Sequence, residues 1–373
     1  MRILFFCNRS GPFGNASRIS KIFKYLTELH GDVRFCNLSD WHNSWAKLVT
    51  SRPLLSSALK NINTRDIAYI KSEAFVALGK DVLKESVRKH RPDIIFAEET
   101  RTAYMAVQND DNIPVVADLH GIISSEYGEC PDAKISERHL SRIREIEKEL
   151  VERASDILVV SNNMKEYLAN EYGPDSYKVT VVQNGADLHC GHATYQENMK
   201  LIFGGIFNYW EDVDSFIEMA KKNPRNQYYL MGTGPLKRHL ISRIDREKIH
   251  VNYLGSQSKS EALDLFCDMT IGVAPSTRNL TRYVASPVKI YDYMACGLPV
   301  ITPNYGEWAR HVEENDCGVV TEHSNAEEFL ASAKKMGDRD IWEQKSENCR
   351  KAIETKFNWH KVLEPISNVL ERY

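Results

Sequence analysis

The chain has 373 residues, of which 42% are hydrophobic and 27% charged. This balance is typical of a folded globular protein, and the length favours two α/β domains over one core. The formal net charge of −3 gives no support to nucleic-acid binding. The eight cysteines include no Cys-x-x-Cys pair, which argues against a disulfide framework or a zinc ribbon and favours reduced thiols in the cytoplasm. The first residues, MRILFFCNRSG, contain too short an apolar run for a signal peptide, and no stretch of eighteen apolar residues predicts a membrane span.

Short apolar runs alternate with helical patterns through the first half of the chain. The predicted strands are RILFFC (2–7), DVRFCN (32–37), DIIFAEE (93–99), IPVVADLHG (113–121), DILVVS (156–161) and KVTVVQNG (178–185). Helices are predicted through 19–29, over most of 41–90 and within the charged segment 121–155. Continuous apolar strands that alternate with helices indicate a parallel sheet covered on both faces.

The same alternation starts again after a polar stretch at 188–198, which is the predicted linker. The later strands are KLIFGGI (200–206), QYYLMGTG (227–234), HVNYLG (250–255), MTIGVAPS (269–276), PVITP (299–303) and GVVT (318–321). Helices are predicted at 212–222, after Pro235, and at 258–266, 286–297 and 307–314. We therefore expect an α/β protein with two Rossmann-like, doubly wound domains facing a cleft, with ligands bound at the carboxyl ends of the strands.

Two features of the first domain are candidates for such contacts. The turn SGPFGNAS carries Gly14 and Asn15 between the first strand and the first helix, where a backbone can approach a phosphate or sugar; a simple helix-capping turn is the alternative. The second strand ends in Cys36 and Asn37, so the acidic residue of a dinucleotide site is missing. His120 ends a central strand and either faces a ligand or is a packed histidine.

In the second domain, the loop and helix at 274–297 combine positive side chains with a helix start. Arg278, Arg282 and Lys289 precede or open the helix that begins at Ser286-Pro287-Val288, and such a helix N-terminus is suited to a diphosphate. Asp292 could accept hydrogen bonds from the hydroxyls of a ribose, or could merely complement the helix dipole. The turn LMGTGPL adds Gly232 and Gly234, whose backbone could meet a base or a phosphate.

Two short motifs have the spacing of metal ligands, but we interpret neither as a metal site. The Asp-x-Asp at 212–214 opens a predicted helix, where acidic residues act as caps, and the His-Cys-Gly-His at 189–192 lies in a polar loop without a fourth ligand at a zinc spacing. We expect no metal and no cofactor.

Several of these segments, taken in order, resemble the GT-B glycosyltransferases of the large retaining GT4 family. They are IPVVADLHG, ASDILVVSNNMKEYL, KVTVVQNGADL, YYLMGTGPL and SPVKIYDYMACGLPVITPNYGEWARHVEENDCGVVTE, and the ending KFNWHKVLEPISNVLERY is similar to the terminal helix of that family. The resemblance implies an acceptor-side domain at 1–190, a nucleotide-sugar domain at 191–355 and a helix at 356–373 that packs back on the first domain.

The resemblance also implies roles for single residues. Asp292 takes the place of the glutamate that holds the donor ribose, and His120 that of the histidine at the transferred sugar. Gly14 lies in the loop that closes over the diphosphate, and 232–236 resembles the turn near the base. The family has a second glutamate eight positions before the one that Asp292 replaces, and this chain has Val284 there.

A further departure concerns the loop after the first strand of the second domain. An arginine and a lysine are usual there in the family, whereas this chain has Asn208, Tyr209, Trp210 and Glu211. Lys289, Arg278 or Arg282 could supply the missing positive charge. The expected activity is a metal-independent, retaining hexosyl transfer from a nucleotide-diphosphate sugar, with His120, Lys289 and Arg282 at the reaction centre.

The expected acceptor is a glycan or a lipid-linked sugar in polysaccharide or cell-surface glycan assembly. Segment 41–90 mixes Trp41, Trp45 and several leucines with Lys47 and Arg52, so it could rest on an anionic membrane or pack as ordinary helices. The expected location is the cytoplasm, with a peripheral position on the cytoplasmic face of the membrane as the alternative. Two other hypotheses remain open from the residues: a non-catalytic GT-B scaffold, and a nucleotide-sugar epimerase.

Overall fold

The structure is a computed structural model, and it describes residues 1–8, 15–38, 64–109, 111–131, 135–173 and 178–373; of residues 15, 16 and 64–72 only the backbone is described. The chain divides into two units. The first is Met1–Val182 together with Leu363–Tyr373, and the second is Gln183–Val362. The predicted boundary after residue 190 lies further along the chain, because residues after Val182 already bond to the second unit: the Ala186 amide donates to the Phe357 carbonyl at 3.0 Å.

The first unit is built on a six-stranded sheet in which every described pair is parallel. Its strands lie in the order β2-β1-β3-β4-β5-β6. The strands are β1 (Ile3–Cys7), β2 (Val33–Asn37), β3 (Ile94–Glu98), β4 (Val115–Leu119), β5 (Asp156–Val159) and β6 (Val179–Val181). The helices are α1 (Asn15–His30), α2 (Thr64–His90), α3 (Thr100–Val107), α4 (Ile123–Gly128), α5 (Glu137–Arg153) and α6 (Asn162–Tyr172). All residues of β1, β3 and β4 are buried, which explains why their sequences are apolar apart from Glu98 and Asp118.

The second unit repeats the plan with the strand order β12-β11-β10-β7-β8-β9. The strands are β7 (Lys200–Ile206), β8 (Gln227–Thr233), β9 (Asn252–Gly255), β10 (Ile271–Val273), β11 (Val300–Pro303) and β12 (Gly318–Thr321). The helices are α7 (Val213–Lys222), α8 (Lys237–Glu247), α9 (Lys259–Cys267), α10 (Leu280–Tyr283), α11 (Val288–Ala295), α12 (Glu307–Glu314), α13 (Ala326–Lys335), α14 (Arg339–Ala352), a π-helical turn (Ile353–Phe357) and α15 (Trp359–Leu370). The short α10 has no periodic pattern of its own and was not expected from the sequence.

The end of the chain returns from the second unit to the first. The last residues, from Leu363, group with the first unit. There the Ser367 hydroxyl lies 2.8 Å from that of Tyr25, and the Tyr373 hydroxyl donates to Asp156 at 2.5 Å. Two parallel α/β sheets, each flanked by helices, confirm the predicted fold class.

Candidate functional site

Charged side chains in the first unit gather where its strand order reverses. Strand β1 lies between β2 and β3 in the sheet, and the chain passes from β1 to β2 on one side before β3 is added on the other. The carboxyl ends of β1 and β3 therefore flank a switch point of the kind that binds ligands in open α/β sheets. Arg18 comes from α1, which follows β1, while Glu98 ends β3. Asp118 lies on the next strand, β4, and His120 follows it directly.

These four side chains form one cluster of ion pairs. Arg18 donates to both oxygens of Asp118, from Nη2 at 2.6 Å and from Nε at 2.9 Å. Nε2 of His120 lies 3.1 Å from Asp118 Oδ2 and 3.0 Å from Glu98 Oε1. The Arg18 and Asp118 side chains are 1% and 0% exposed. Although burial opposes both shifts, the two carboxylates raise the pKa of His120 to about 10, and Arg18 with His120 holds the pKa of Asp118 well below its usual range.

The three acceptor-type groups of Glu98, Asp118 and His120 lie within 4.8 Å of one another, close enough to suggest a metal. However, an arginine and a protonated histidine already balance the two carboxylates in formal charge, and Arg18 occupies both oxygens of Asp118. The cluster is therefore satisfied as a set of ion pairs. Its histidine is a proton donor at neutral pH rather than a base.

The other two candidates of the first unit are described in less detail. Gly14 lies outside the described residues. Asn15 is the first residue of α1, and its side chain is not described. Their expected contacts with a donor thus stay predictions, as does the role of His120 at the transferred sugar.

The second unit has an equivalent switch point between β7 and β10, and three buried charges meet there. Glu211 comes from the loop after β7, Arg282 from α10, which follows β10, and Lys289 from the first turn of α11. Glu211 Oε2 lies 2.7 Å from Lys289 Nζ, and its Oε1 lies 3.4 Å from Arg282 Nη1. The sequence suggested Arg282 and Lys289 as cations for a phosphate; it gave no sign that a buried carboxylate joins them.

Arg282 and Lys289 are each held by further contacts. The Arg282 guanidinium donates from Nε to Ser276 Oγ at 3.1 Å and stacks 4.6 Å from the centre of the Trp308 ring. Its Nη2 is buried and has no hydrogen-bond partner among the residues that the structure describes. Lys289 Nζ lies 4.2 Å from the centre of the Phe203 ring. Burial lowers the pKa of Lys289 to about 8, against the attraction of Glu211 and with the help of Arg282.

The start of α11 is fixed by residues far away in sequence. Pro287 is the N-cap residue, and the helix proper begins at Val288, as the Ser-Pro pair predicts. Asn184, which follows β6, donates from Nδ2 to the Ser286 carbonyl at 2.6 Å. The Ser286 hydroxyl in turn lies 3.2 Å from that of Tyr291. These bonds fix the position of the chain at the start of α11.

Asp292 lies one turn further along α11, and its side chain is 12% exposed. It pairs with Lys259, which comes from α9 and is half exposed. Burial raises the pKa of Asp292, against the attraction of Lys259. Its Oδ1 is buried with no hydrogen-bond partner in the described part of the chain. A buried acceptor of this kind is costly unless something else donates to it.

The remaining candidates have structural explanations of their own. A Cβ at Gly232 would lie 1.8 Å from the Gly205 carbonyl oxygen, and one at Gly234 would lie 2.3 Å from that of Phe207. Both glycines are therefore required by the packing of β8 against the end of β7. Arg278 is exposed and donates to the Glu322 carbonyl at 2.7 Å, away from the Glu211 carboxylate.

The aspartate and histidine side chains of the motifs at 212–214 and 189–192 have partners within the protein. Asp212 caps α7 by accepting from the Ser215 amide. His189 and His192 turn to different partners, Asp264 and Ser346. Among the helices of the described ranges, none is both long and apolar enough to cross a membrane.

Comparison with known proteins assigns the chain. The family described as Glycosyl transferases group 1 matches residues 198–338, and Glycosyltransferase Family 4 matches residues 57–189. Glycogen synthase of Mycobacterium tuberculosis is 19% identical over 76% of this chain and 69% of its own length. Sucrose-phosphate synthase from Thermosynechococcus elongatus shares the fold with a TM-score of 0.77 at 14% identity, covering 100% of this chain and 99% of that one.

A further solved structure was determined with a nucleotide sugar. Anabaena HepE in complex with UDP-glucose superposes with a TM-score of 0.72 at 16% identity, covering the whole of both chains. The two family matches together span most of this chain and meet the two units in order. The chain is therefore a GT-B glycosyltransferase of the group 1, GT4 type.

Proposed function

We propose that the enzyme transfers a hexose from a nucleoside-diphosphate sugar with retention of the anomeric configuration. The observation that carries the proposal is the pair of buried cations, Arg282 and Lys289, at the N-terminus of α11, with the partly unsatisfied Asp292 on the same helix. A diphosphate fits the two cations and the amides of the first helical turn. A ribose hydroxyl could donate to the buried oxygen of Asp292 that has no hydrogen-bond partner in the described part of the chain.

In the proposed reaction, the bond between the anomeric carbon and the diphosphate oxygen breaks, and negative charge develops on the leaving diphosphate. Arg282, Lys289 and the helix amides lower this barrier, each preorganised donor being worth on the order of 3 kcal/mol. The acceptor hydroxyl passes its proton to the departing phosphate on the same face. His120 is protonated at neutral pH, so it serves as a donor to the transferred sugar and not as the base.

The donor half is tested by thermal shift with UDP, GDP, ADP and their sugars. Stabilisation by one nucleoside diphosphate is expected. It should be lost in Lys289→Met and Arg282→Met and kept in Lys351→Met, which removes an exposed lysine of α14. Absence of a response to every nucleotide would contradict the proposal. UDP is the first probe, because HepE was solved with UDP-glucose.

The stereochemical half needs turnover with the donor that the binding screen selects. The anomeric configuration of the product, followed by proton NMR from the first minutes of the reaction, is expected to equal that of the donor. Inversion would refute the same-face mechanism while leaving the donor site intact.

We further propose a glycan or lipid-linked acceptor in polysaccharide or cell-surface glycan assembly. The support is the composition of 41–63, a stretch that lies outside the described residues and carries Trp41, Trp45, Lys47 and Arg52. Flotation with vesicles containing anionic lipid tests membrane contact. Binding to anionic but not to zwitterionic vesicles at low salt is expected, and no flotation with either would refute it.

A further inference from the structure

The proposed donor site contains a carboxylate that the reaction has not used. Glu211 is 6% exposed, and its two oxygens face Lys289 and Arg282. A carboxylate in this position competes with a phosphate for the same two cations. Since burying any charge is costly, its presence calls for a specific role.

We propose that Glu211 is a positioning residue for the donor diphosphate: it keeps Lys289 charged and holds Lys289 and Arg282 in place, while both cations retain donors for the phosphates. The inference rests on the proposed function, because it concerns the same cations. It assigns to Glu211 a part in binding and none in bond breaking.

The surroundings of Lys289 explain why it needs a partner. The ammonium is buried against the Phe203 ring, where an isolated charge would give up its proton. The charged groups that face it are Glu211, from the loop after β7, and Arg282, from α10. Arg282 repels the ammonium, so Glu211 supplies the attraction that leaves the pKa of Lys289 at about 8. The carboxylate on its own helix, Asp292, is paired with Lys259.

The same geometry explains why Glu211 does not block a phosphate. Glu211 meets Arg282 at Nη1, Ser276 takes Nε, and Nη2 stays without a partner in the described part of the chain. An ammonium has three donors, so Lys289 can contact Glu211 and a phosphate together. Two cations and one carboxylate leave one net positive charge for the diphosphate.

Space for this arrangement is built into the end of β7. A Cβ at residue 205 would lie 2.9 Å from Lys289 Nζ, and the chain has glycine there. The lysine thus reaches Glu211 across a position without a side chain. Glu211 itself is fixed by its backbone, since its amide donates to the Asn208 carbonyl at 3.0 Å.

The test is the pH dependence of UDP affinity, measured by calorimetry from pH 7 to pH 9, above the range in which the phosphate titrates and below the range in which the uracil ring loses its proton. For the wild type we expect little change up to about pH 8 and a decline above it. In Glu211→Gln, Lys289 loses its counter-charge, so affinity should already fall about tenfold per pH unit between pH 7 and pH 8. Glu313→Gln is the matched control, because it removes an exposed carboxylate of the same unit, and its profile should equal the wild type.

Three further variants keep the test decisive. Lys289→Met should abolish UDP binding at every pH, and adding Glu211→Gln to it should not restore binding. If Glu211→Gln does not fold, Glu211→Asp replaces it, since the shorter side chain withdraws from Lys289 and should start the decline at lower pH.

The outcomes separate the two proposals. A folded wild type that binds no nucleoside diphosphate refutes the proposed function. A wild type that binds UDP, with a Glu211→Gln variant of equal affinity and pH profile, overturns only the role of Glu211. Tighter UDP binding by Glu211→Gln overturns it as well, because the carboxylate would then act as a mere competitor.

Discussion

Replacing Asp118 by asparagine should destabilise the first unit strongly. The substitution keeps the size of the side chain and removes its charge. Arg18, whose side chain is 1% exposed, then loses the carboxylate that accepts from two of its nitrogens. His120 loses one of its two carboxylate partners at the same time.

The size of the effect follows from this burial. Removing one partner of a buried ion pair costs about 3–5 kcal/mol, because the other charge stays buried without compensation. That is a large part of the roughly 5–15 kcal/mol that stabilises a typical domain. For a unit of this length, roughly 2–4 °C is lost per kcal/mol, so the unfolding midpoint should fall by roughly 6–20 °C.

Differential scanning calorimetry of the full chain measures the change. Asp93→Asn is the matched control: Asp93 also pairs with an arginine of the same unit, Arg2, but both side chains are exposed by 43% or more. Its midpoint should stay close to the wild type. Equal midpoints for Asp118→Asn and Asp93→Asn would refute the view that the Arg18–Asp118 pair is a strong constraint. Arg18→Met with Asp118→Asn should recover part of the loss.

Three other predictions concern charge, packing and the donor. The pKa of His120 is raised from 6.5 to about 10 in the folded state, so its stabilising contribution is full below pH 6.5 and is lost as the pH rises towards 10. The difference in unfolding free energy between wild type and His120→Gln, measured by urea titration, should therefore shrink over that range. A constant difference would contradict the ion-pair assignment. Gly232→Ala should lower the calorimetric midpoint far more than Gly128→Ala, because its Cβ would meet the Gly205 carbonyl oxygen at 1.8 Å, whereas at Gly128 the nearest atom is 3.7 Å away; similar midpoints would argue against the tight strand contact. Asp292→Ala should weaken UDP binding about 10-fold or more in calorimetry but leave 2′,3′-dideoxy-UDP unchanged, since only UDP has the ribose hydroxyls; equal losses for both ligands would exclude a ribose contact.

The apolar pattern predicted all twelve strands that the structure describes, but not the helices α3, α6, α13 and α14. The strand KLIFGGI and the helix at 307–314 have the predicted bounds, and most other strands differ only by trimming at their ends. This works because parallel strands are buried on both faces, so their sequences are mostly apolar. The short α10 was not predicted either, because its four residues cannot show a period.

Side-chain clusters were predicted only where the strand ends marked them. His120, Arg282 and Lys289 follow predicted strands or open a helix, and their positions could be argued from the sequence. Arg18 is one arginine among many in the sequence, and Lys259 lies on a separate helix from its partner. Pairing between distant segments leaves no local pattern, so these partners had to come from the structure.

Glu211 is an example of a charged residue whose partners could not be predicted from the sequence. From the sequence, Val284 looked like a lost carboxylate and the loop after β7 like a lost pair of cations. In the structure Val284 is fully buried, where an added carboxylate would need a partner of its own. The loop after β7 supplies the carboxylate, and α10 and α11 supply the cations, so the second unit has both signs of charge at the switch point, each from another element. A donor site depends on which charges lie close together in space. The carboxylate missing at Val284 and the cations missing after β7 look like two losses in the sequence, but in the structure other positions supply both kinds of charge.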